Sequence, residues 1–170
     1  MNLSDESSER SEAYRILADL YSRPPAEEQL NEIKEDLELK SAEDAEEIRT
    51  DFESLFVYRD GRIPPLESLF LARAGTPQRA PVTDFYAGAE LEIEDGSELP
   101  PDHISLEFLF MSYLIDVGYI DLQGRFLEEH LMNWVPYYCE EVKGVAKTLF
   151  YREVTVITVD FLNGEYENFA

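Results

Sequence analysis

Asp102 and His103 stand side by side in Pro100-Pro101-Asp102-His103, and an adjacent carboxylate and imidazole can move a proton or hold a metal. His130, Cys139 and the pair Glu128-Glu129 offer comparable chemistry. For acid–base catalysis the Asp–His pair lacks an assignable nucleophile. For a metal, His103, His130, Cys139 and Asp102 carry suitable donor atoms, yet no two keep the C-x-x-C or H-x-x-x-H spacing that brings ligands together locally. Glu128 and Glu129 are neighbours on a helix and point to solvent. No G-x-x-x-x-G-K-[ST] loop is present, which excludes a P-loop nucleotide site. The expectation is a protein that is not an enzyme and holds no metal or cofactor. Asp102 and His103 then cap a helix, through an Asp–His hydrogen bond, and take part in binding.

The elements that position this pair are helical. Pro101 suits a helix start, because its fixed φ is helical and a first-turn N–H has no partner anyway. Asp102 then meets the positive end of a helix running from about Asp102 to Val117, closed by Gly118. That helix is apolar on nearly every side, so it belongs in the middle of a bundle. Before it, Ala13, Ile16, Leu17, Leu20 and Tyr21 mark a first helix, behind a polar tail over 1–8, and Arg23-Pro24-Pro25 stops it. A second helix begins at Pro25 with Leu30, Ile33 and Leu37 inward. Ser41 and Asp44 read as a capping box for a third, whose inner stripe is Ala45, Ile48, Phe52, Leu55 and Phe56.

From Tyr58 to Pro81 the chain is mostly loop, with one turn of helix around Glu67–Leu71, and it carries Arg59, Arg62, Arg73 and Arg79. A short helix near Val82–Glu90 leads into the acidic linker Glu92–Glu98. Phe126, Leu127, Leu131, Trp134, Val135 and Tyr138 mark a later helix kinked by Pro136. Leu149, Phe150, Val154, Ile157 and Phe161 mark the last, although Val154–Val159 also has strong β propensity.

Composition bounds the rest. At 170 residues and 44% hydrophobic, the chain suits one domain with a real core. A net charge of −23 argues against nucleic acid and anionic membrane surfaces and favours a basic partner; solubility or high-salt adaptation accounts for it equally well. Between Ala80 and Gly124 lie ten Asp or Glu and no Lys or Arg. The single Cys139 allows no intrachain disulfide, the N-terminus lacks an apolar signal core, and no apolar run spans a bilayer. These features point to the cytoplasm.

Several motifs together resemble the TorD/DmsD/NarJ family of redox-enzyme maturation chaperones. They are the Pro-x-Asp-His turn, Phe52-Glu53-Ser54-Leu55-Phe56, Pro64-Pro65-Leu66-Glu67-Ser68-Leu69-Phe70, and Phe126-Leu127-Glu128-Glu129-His130-Leu131 with Trp134 and Phe150-Tyr151-Arg152. The likeness runs from about Tyr14 to Phe161. Two positions depart from it: Leu99 stands where many relatives have Glu, and Leu66 where many have Trp. The resemblance implies an all-α, single bundle-like domain of about seven to nine helices, in two halves joined by a Pro-rich hinge at 92–101, and a hinge of this kind permits domain-swapped homodimers.

It further implies a partner: the twin-arginine signal peptide, or apo catalytic subunit, of a molybdenum oxidoreductase, held until cofactor insertion and export. The candidate peptide contacts are Phe52, Leu55, Phe56, Leu66, Phe70, Tyr86, Pro100, Asp102, His103 and Glu107. An apolar groove would take the leader's core as a helix and carboxylates would take its arginines. Exposed ion pairs contribute about 0–1 kcal/mol each, whereas each buried Leu or Phe contributes about 1.5–3 kcal/mol. Apolar contacts thus hold the leader and acidic residues steer it. The alternatives are a nitrate-reductase-type assembly chaperone for a non-exported subunit, a generic acidic interaction module that ignores the leader's apolar segment, and a small metal enzyme using His103 and His130.

Overall fold

Proline and glycine punctuate a chain of helices. The computed structural model describes residues 3–57, 60–77, 80–94 and 97–169. Among them the helices are α1 Leu3–Ser22, α2 Glu27–Asp36, α3 Ala45–Phe56, α4 Glu67–Ala74, α5 Val82–Gly88, α6 Ile104–Val117, α7 Ile120–Phe126, α8 Met132–Val145 and α9 Leu149–Phe169. A π-helical turn, Leu127–Leu131, joins α7 to α8 as one continuous helix. The result is the expected all-helical bundle, eight helices without a strand among the described residues. No helix there is long and apolar enough to cross a membrane. Gly75 and Gly118 close α4 and α6 at φ of 70° and 78°, a conformation that favours glycine.

The hub is α6, which lies mainly against α1. Phe108 of α6 meets Tyr14 and Tyr21 of α1. Small residues let the two backbones close: the Ser11 and Ser112 hydroxyls are 2.8 Å apart, and the Ser105 hydroxyl donates to the Ala18 carbonyl at 2.7 Å. The buried face of α1 is therefore Ser11, Tyr14, Leu17, Ala18, Leu20 and Tyr21, while the expected Ile16 is exposed. The helix also begins at Leu3, inside the stretch expected to be a tail.

Three other boundaries differ from expectation. The capping box of α3 uses Asp44 with Glu47, not Ser41 with Asp44, because Ser41 is taken up by Glu43. The loop helix α4 extends to two turns, since Gly75 rather than Leu71 ends it. The helix carrying Trp134 starts at Ile120 and continues through Pro136. Pro136 offers no N–H to the Met132 carbonyl and its ring needs room there. The π turn ends at the residue before Met132, so the chain takes up its extra residue next to a ladder already interrupted.

The run Val154–Val159 is helical despite its β propensity. Its threonines turn their hydroxyls back onto the helix, Thr155 onto Arg152 and Thr158 onto Val154, both at 2.7 Å. Burial of Tyr151, Val154, Thr155, Thr158 and Leu162 overrides propensity, with Ile157 and Phe161 at the edge of that face. The start of α9 is held by carboxylates from and before α3. Asp51 accepts the Thr148 N–H and hydroxyl at 2.8 and 2.6 Å, and Glu43 accepts the N–H groups of Leu149 and Phe150 at 2.9 and 3.0 Å. Asp51→Ala leaves these buried donors without acceptors, and we expect it to lower stability by about 2–3 kcal/mol in urea denaturation with an unchanged m value.

Candidate functional site

Two proline-rich turns meet before α4 and α6. Prolines cannot donate, so Pro64-Pro65 and Pro100-Pro101 leave extended backbone whose remaining polar groups need partners. Leu66 and His103 pair as an isolated antiparallel bridge. The Ile104 N–H donates to the Pro65 carbonyl at 2.9 Å, and the Glu67 N–H to the Asp102 carbonyl at 3.1 Å. Tyrosines hold each side: Tyr138 donates to the Ile63 carbonyl at 2.7 Å and Tyr86 to the Pro101 carbonyl at 2.8 Å.

This stitch reassigns the roles of Asp102 and His103. Asp102 does not cap the helix that follows it; its Oδ2 accepts the Ser68 N–H at 2.8 Å and so caps α4 from across the chain. His103 is the N-cap of α6, its Nδ1 accepting the Ser105 N–H at 3.1 Å. That contact requires a neutral ring, and burial holds the His103 pKa down to about 4 against the opposing pull of Asp102.

Beneath the stitch lies a cluster that spacing did not reveal. His130 Nδ1 is 2.9 and 3.0 Å from the two Glu67 carboxylate oxygens, and its ring lies between Phe85 and Phe126. Trp134 Nε1–H donates to Glu107 Oε1 at 3.2 Å, while Glu107 Oε2 is buried without a partner. Burial, and then the charge of Glu67, push the Glu107 carboxyl well above the usual carboxylate range. Glu67, Glu107 and His130 each place one donor atom within 4.8 Å of the others, and none is more than 2% exposed. His103, Asp102 and Cys139, the metal donors considered from sequence, lie outside this group. Cys139 is buried beside Tyr21, and burial pushes its thiol up to about 12, so it is no nucleophile.

Along α6 there also opens a groove of about 440 Å³. Its apolar wall is Tyr86, Leu106, Leu109, Phe110 and Tyr113, and the acidic linker supplies Leu91, Glu92, Ile93, Glu94 and Ser97. Leu109 is 44% exposed, which is unusual for a leucine in the central helix. Arg73, from the basic loop, is paired with Glu141 on α8. Arg59 and Arg79 lie outside the described residues, as do positions 95 and 96 of the linker.

Of the ten residues expected to touch a peptide, Tyr86 lines this groove. Pro100 and Asp102 are half-buried in the stitch and His103 is buried there. Phe52, Leu55 and Phe56 are core residues, Phe56 standing edge-on to Tyr21 and Tyr151. Leu66 is buried at the bridge, Phe70 is buried against Trp134 and Tyr138, and Glu107 is wholly buried. Leu106, Leu109, Tyr113, Glu92 and Glu94 line the groove and are not among the ten. Amphipathic helices betray an exposed face by polar residues, but in α6 the polar Ser105, Glu107 and Ser112 are the buried ones.

The depressed His103 pKa makes stability depend on pH. The unfolded ring binds a proton near its ordinary 6.5 and the folded ring only near 4, so this contribution is complete above pH 6.5 and falls away between 6.5 and 4. His103→Asn keeps a cap acceptor and should flatten that part of a urea-midpoint-against-pH curve. Asp102→Ala, which uncaps α4, should cost about 0.5–2 kcal/mol at neutral pH, and Asp102→Asn distinctly less.

Residues 21–140 match the family model described as nitrate reductase delta subunit. The chain is 28% identical to the chaperone protein TorD of Aliivibrio fischeri over 168 positions, covering 89% of this chain and 78% of that protein. It is 25% identical to a probable Tat proofreading chaperone DmsD of Haemophilus influenzae over 79 positions, 46% of this chain and 38% of that one. The family match spans α2 to most of α8 and includes both proline turns, the buried triad and the groove. The match bears out the resemblance to the TorD/DmsD/NarJ chaperones, and this chain belongs to the nitrate reductase delta subunit family that includes them.

Proposed function

We propose that this protein is a cytoplasmic maturation chaperone that binds the twin-arginine signal peptide of a molybdenum oxidoreductase, or its apo catalytic subunit, and keeps it from export until cofactor is inserted. The observation that carries this reading is the groove beside α6, apolar along the helix and rimmed by Glu92 and Glu94. A twin-arginine leader has matching parts: a cationic pair and a modestly apolar stretch able to form a helix. The relatives' names, a TorD chaperone and a probable Tat proofreading chaperone, support the same reading. The role is binding and release, not catalysis.

Leu106, Leu109 and Tyr113 receive the apolar stretch in this proposal, and Glu92 and Glu94 meet the arginines. Tyr86, with Pro100, Asp102 and His103 behind it, forms the end wall. Contacts from Phe52, Leu55, Phe56, Leu66, Phe70 and Glu107 require the helices to part. The linker over 92–101 is the natural hinge for such a movement, and exchange about it would give a swapped dimer.

Titration calorimetry with a synthetic twin-arginine leader, beside one whose apolar core is replaced by Ser and Gly, tests the reading. Only the intact leader should bind tightly. Leu109→Ser, at a half-exposed site, should weaken binding about tenfold, equivalent to the loss of roughly 1.4 kcal/mol of apolar contact. Replacing Glu92 and Glu94 together with Gln should slow association and lessen its salt dependence. Equal affinity for both leaders would reduce the protein to an unspecific acidic surface.

A further inference from the structure

We propose that Glu67, Glu107 and His130 form a binding site for a single zinc ion at the junction of α4, α6 and the π turn. The donors converge from three elements: Glu67 opens α4, Glu107 lies one turn into α6, and His130 sits in the widened turn Leu127–Leu131. One donor atom of each lies within 4.8 Å of the others, close enough to surround one ion. The second observation is Glu107 Oε2, wholly buried and without any hydrogen-bond partner. Its sister oxygen is taken by Trp134 Nε1–H, an arrangement that orients a ligating carboxylate and leaves the other oxygen for a metal.

Charge supports a cation here. Two carboxylates this close and this dry cannot both stay ionised unaided. A divalent cation cancels both carboxylates and needs only a neutral imidazole to complete the set. His130 Nδ1 now shares a hydrogen bond with both Glu67 oxygens, at 2.9 and 3.0 Å; an ion would take the place of that proton, the neutral ring keeping its own on Nε2, and two Glu67 oxygens, one from Glu107 and Nδ1 would make four donors. Zinc accepts that low coordination number with mixed nitrogen and oxygen ligands, whereas magnesium demands six and retains waters. The π turn fits the same reading, since such turns commonly mark functional positions.

The site is independent of whether a leader peptide binds. An ion there would clamp the loop helix, the central helix and the α7–α8 helix below the proline stitch.

The test uses the full chain, stripped with chelator and then given one equivalent of Zn²⁺ or Co²⁺. With 37 acidic residues, unspecific surface binding is the competing explanation, so retention is measured by elemental analysis after gel filtration in high salt. One ion per chain should remain, cobalt should show the visible absorption of a low-coordinate site, and zinc should raise the Tm by about 5–10 °C at hundredfold excess over Kd. Glu107→Gln and His130→Gln, checked for native helicity, should lose retention and the Tm shift, while Glu128→Gln at an exposed neighbour keeps both. Two results overturn the proposal: wild-type protein that retains no ion and shows no Tm response, or Glu107→Gln protein that retains as much as wild type.

Discussion

Two stretches of backbone that cannot be helical must still satisfy their polar groups inside a helical protein, and they do so on each other. Pro64-Pro65-Leu66 and Pro101-Asp102-His103 form the one bridge recorded among the described residues, and the starts of α4 and α6 both depend on it. The dependence is mutual. The Ile104 N–H, at the first residue of α6, uses a carbonyl from the turn before α4, and the Ser68 N–H of α4 uses the side chain of the residue before the α6 cap. Breaking either turn frees orphan groups at two helix ends at once. Tyr86 and Tyr138 extend the constraint to α5 and α8, so the stitch ties most of the bundle together.

This geometry explains how a chain with net charge −23 builds a stable interior. Acidic side chains that enter the interior are each given a definite task. Asp51 and Glu43 receive the free N–H groups at the start of α9. Glu165 takes Arg10, at 2.7 and 2.9 Å, and that guanidinium also reaches Gln123, joining α1, α7 and α9. Glu67 faces His130. Desolvation of each carboxylate is offset by charge-assisted hydrogen bonds. Glu107 alone keeps a wholly buried oxygen without a partner among the carboxylates of the described residues, which sets it apart. The acids left outside, Glu92 and Glu94 among them, stay in water, where their charge is solvated.

The same central helix therefore serves two different environments. One side meets α1 through aromatic rings and small hydroxyls, and its first turns reach the buried triad. The other side, at Leu106, Leu109 and Tyr113, borders the groove. The groove is apolar along α6 because the opposite packing of that helix already holds it rigidly in place.

The helices, their order and some of their ends were determined by the sequence alone, because these are local properties. Gly118 stops α6, Arg23-Pro24-Pro25 follows the end of α1, and the stripe of α3 reads directly as Ile48, Phe52, Leu55 and Phe56. The family was legible too, since its motifs are short stretches of neighbouring residues. Tertiary structure decided what each chemically capable residue faces. Asp102 caps α4 rather than α6, Glu67 and His130 meet across 63 positions, and Glu107 turns inward while Leu109, two residues on, turns out. No local pattern encodes these outcomes, because α6 is apolar on nearly all sides and so carries no periodic mark of which side its neighbours leave uncovered.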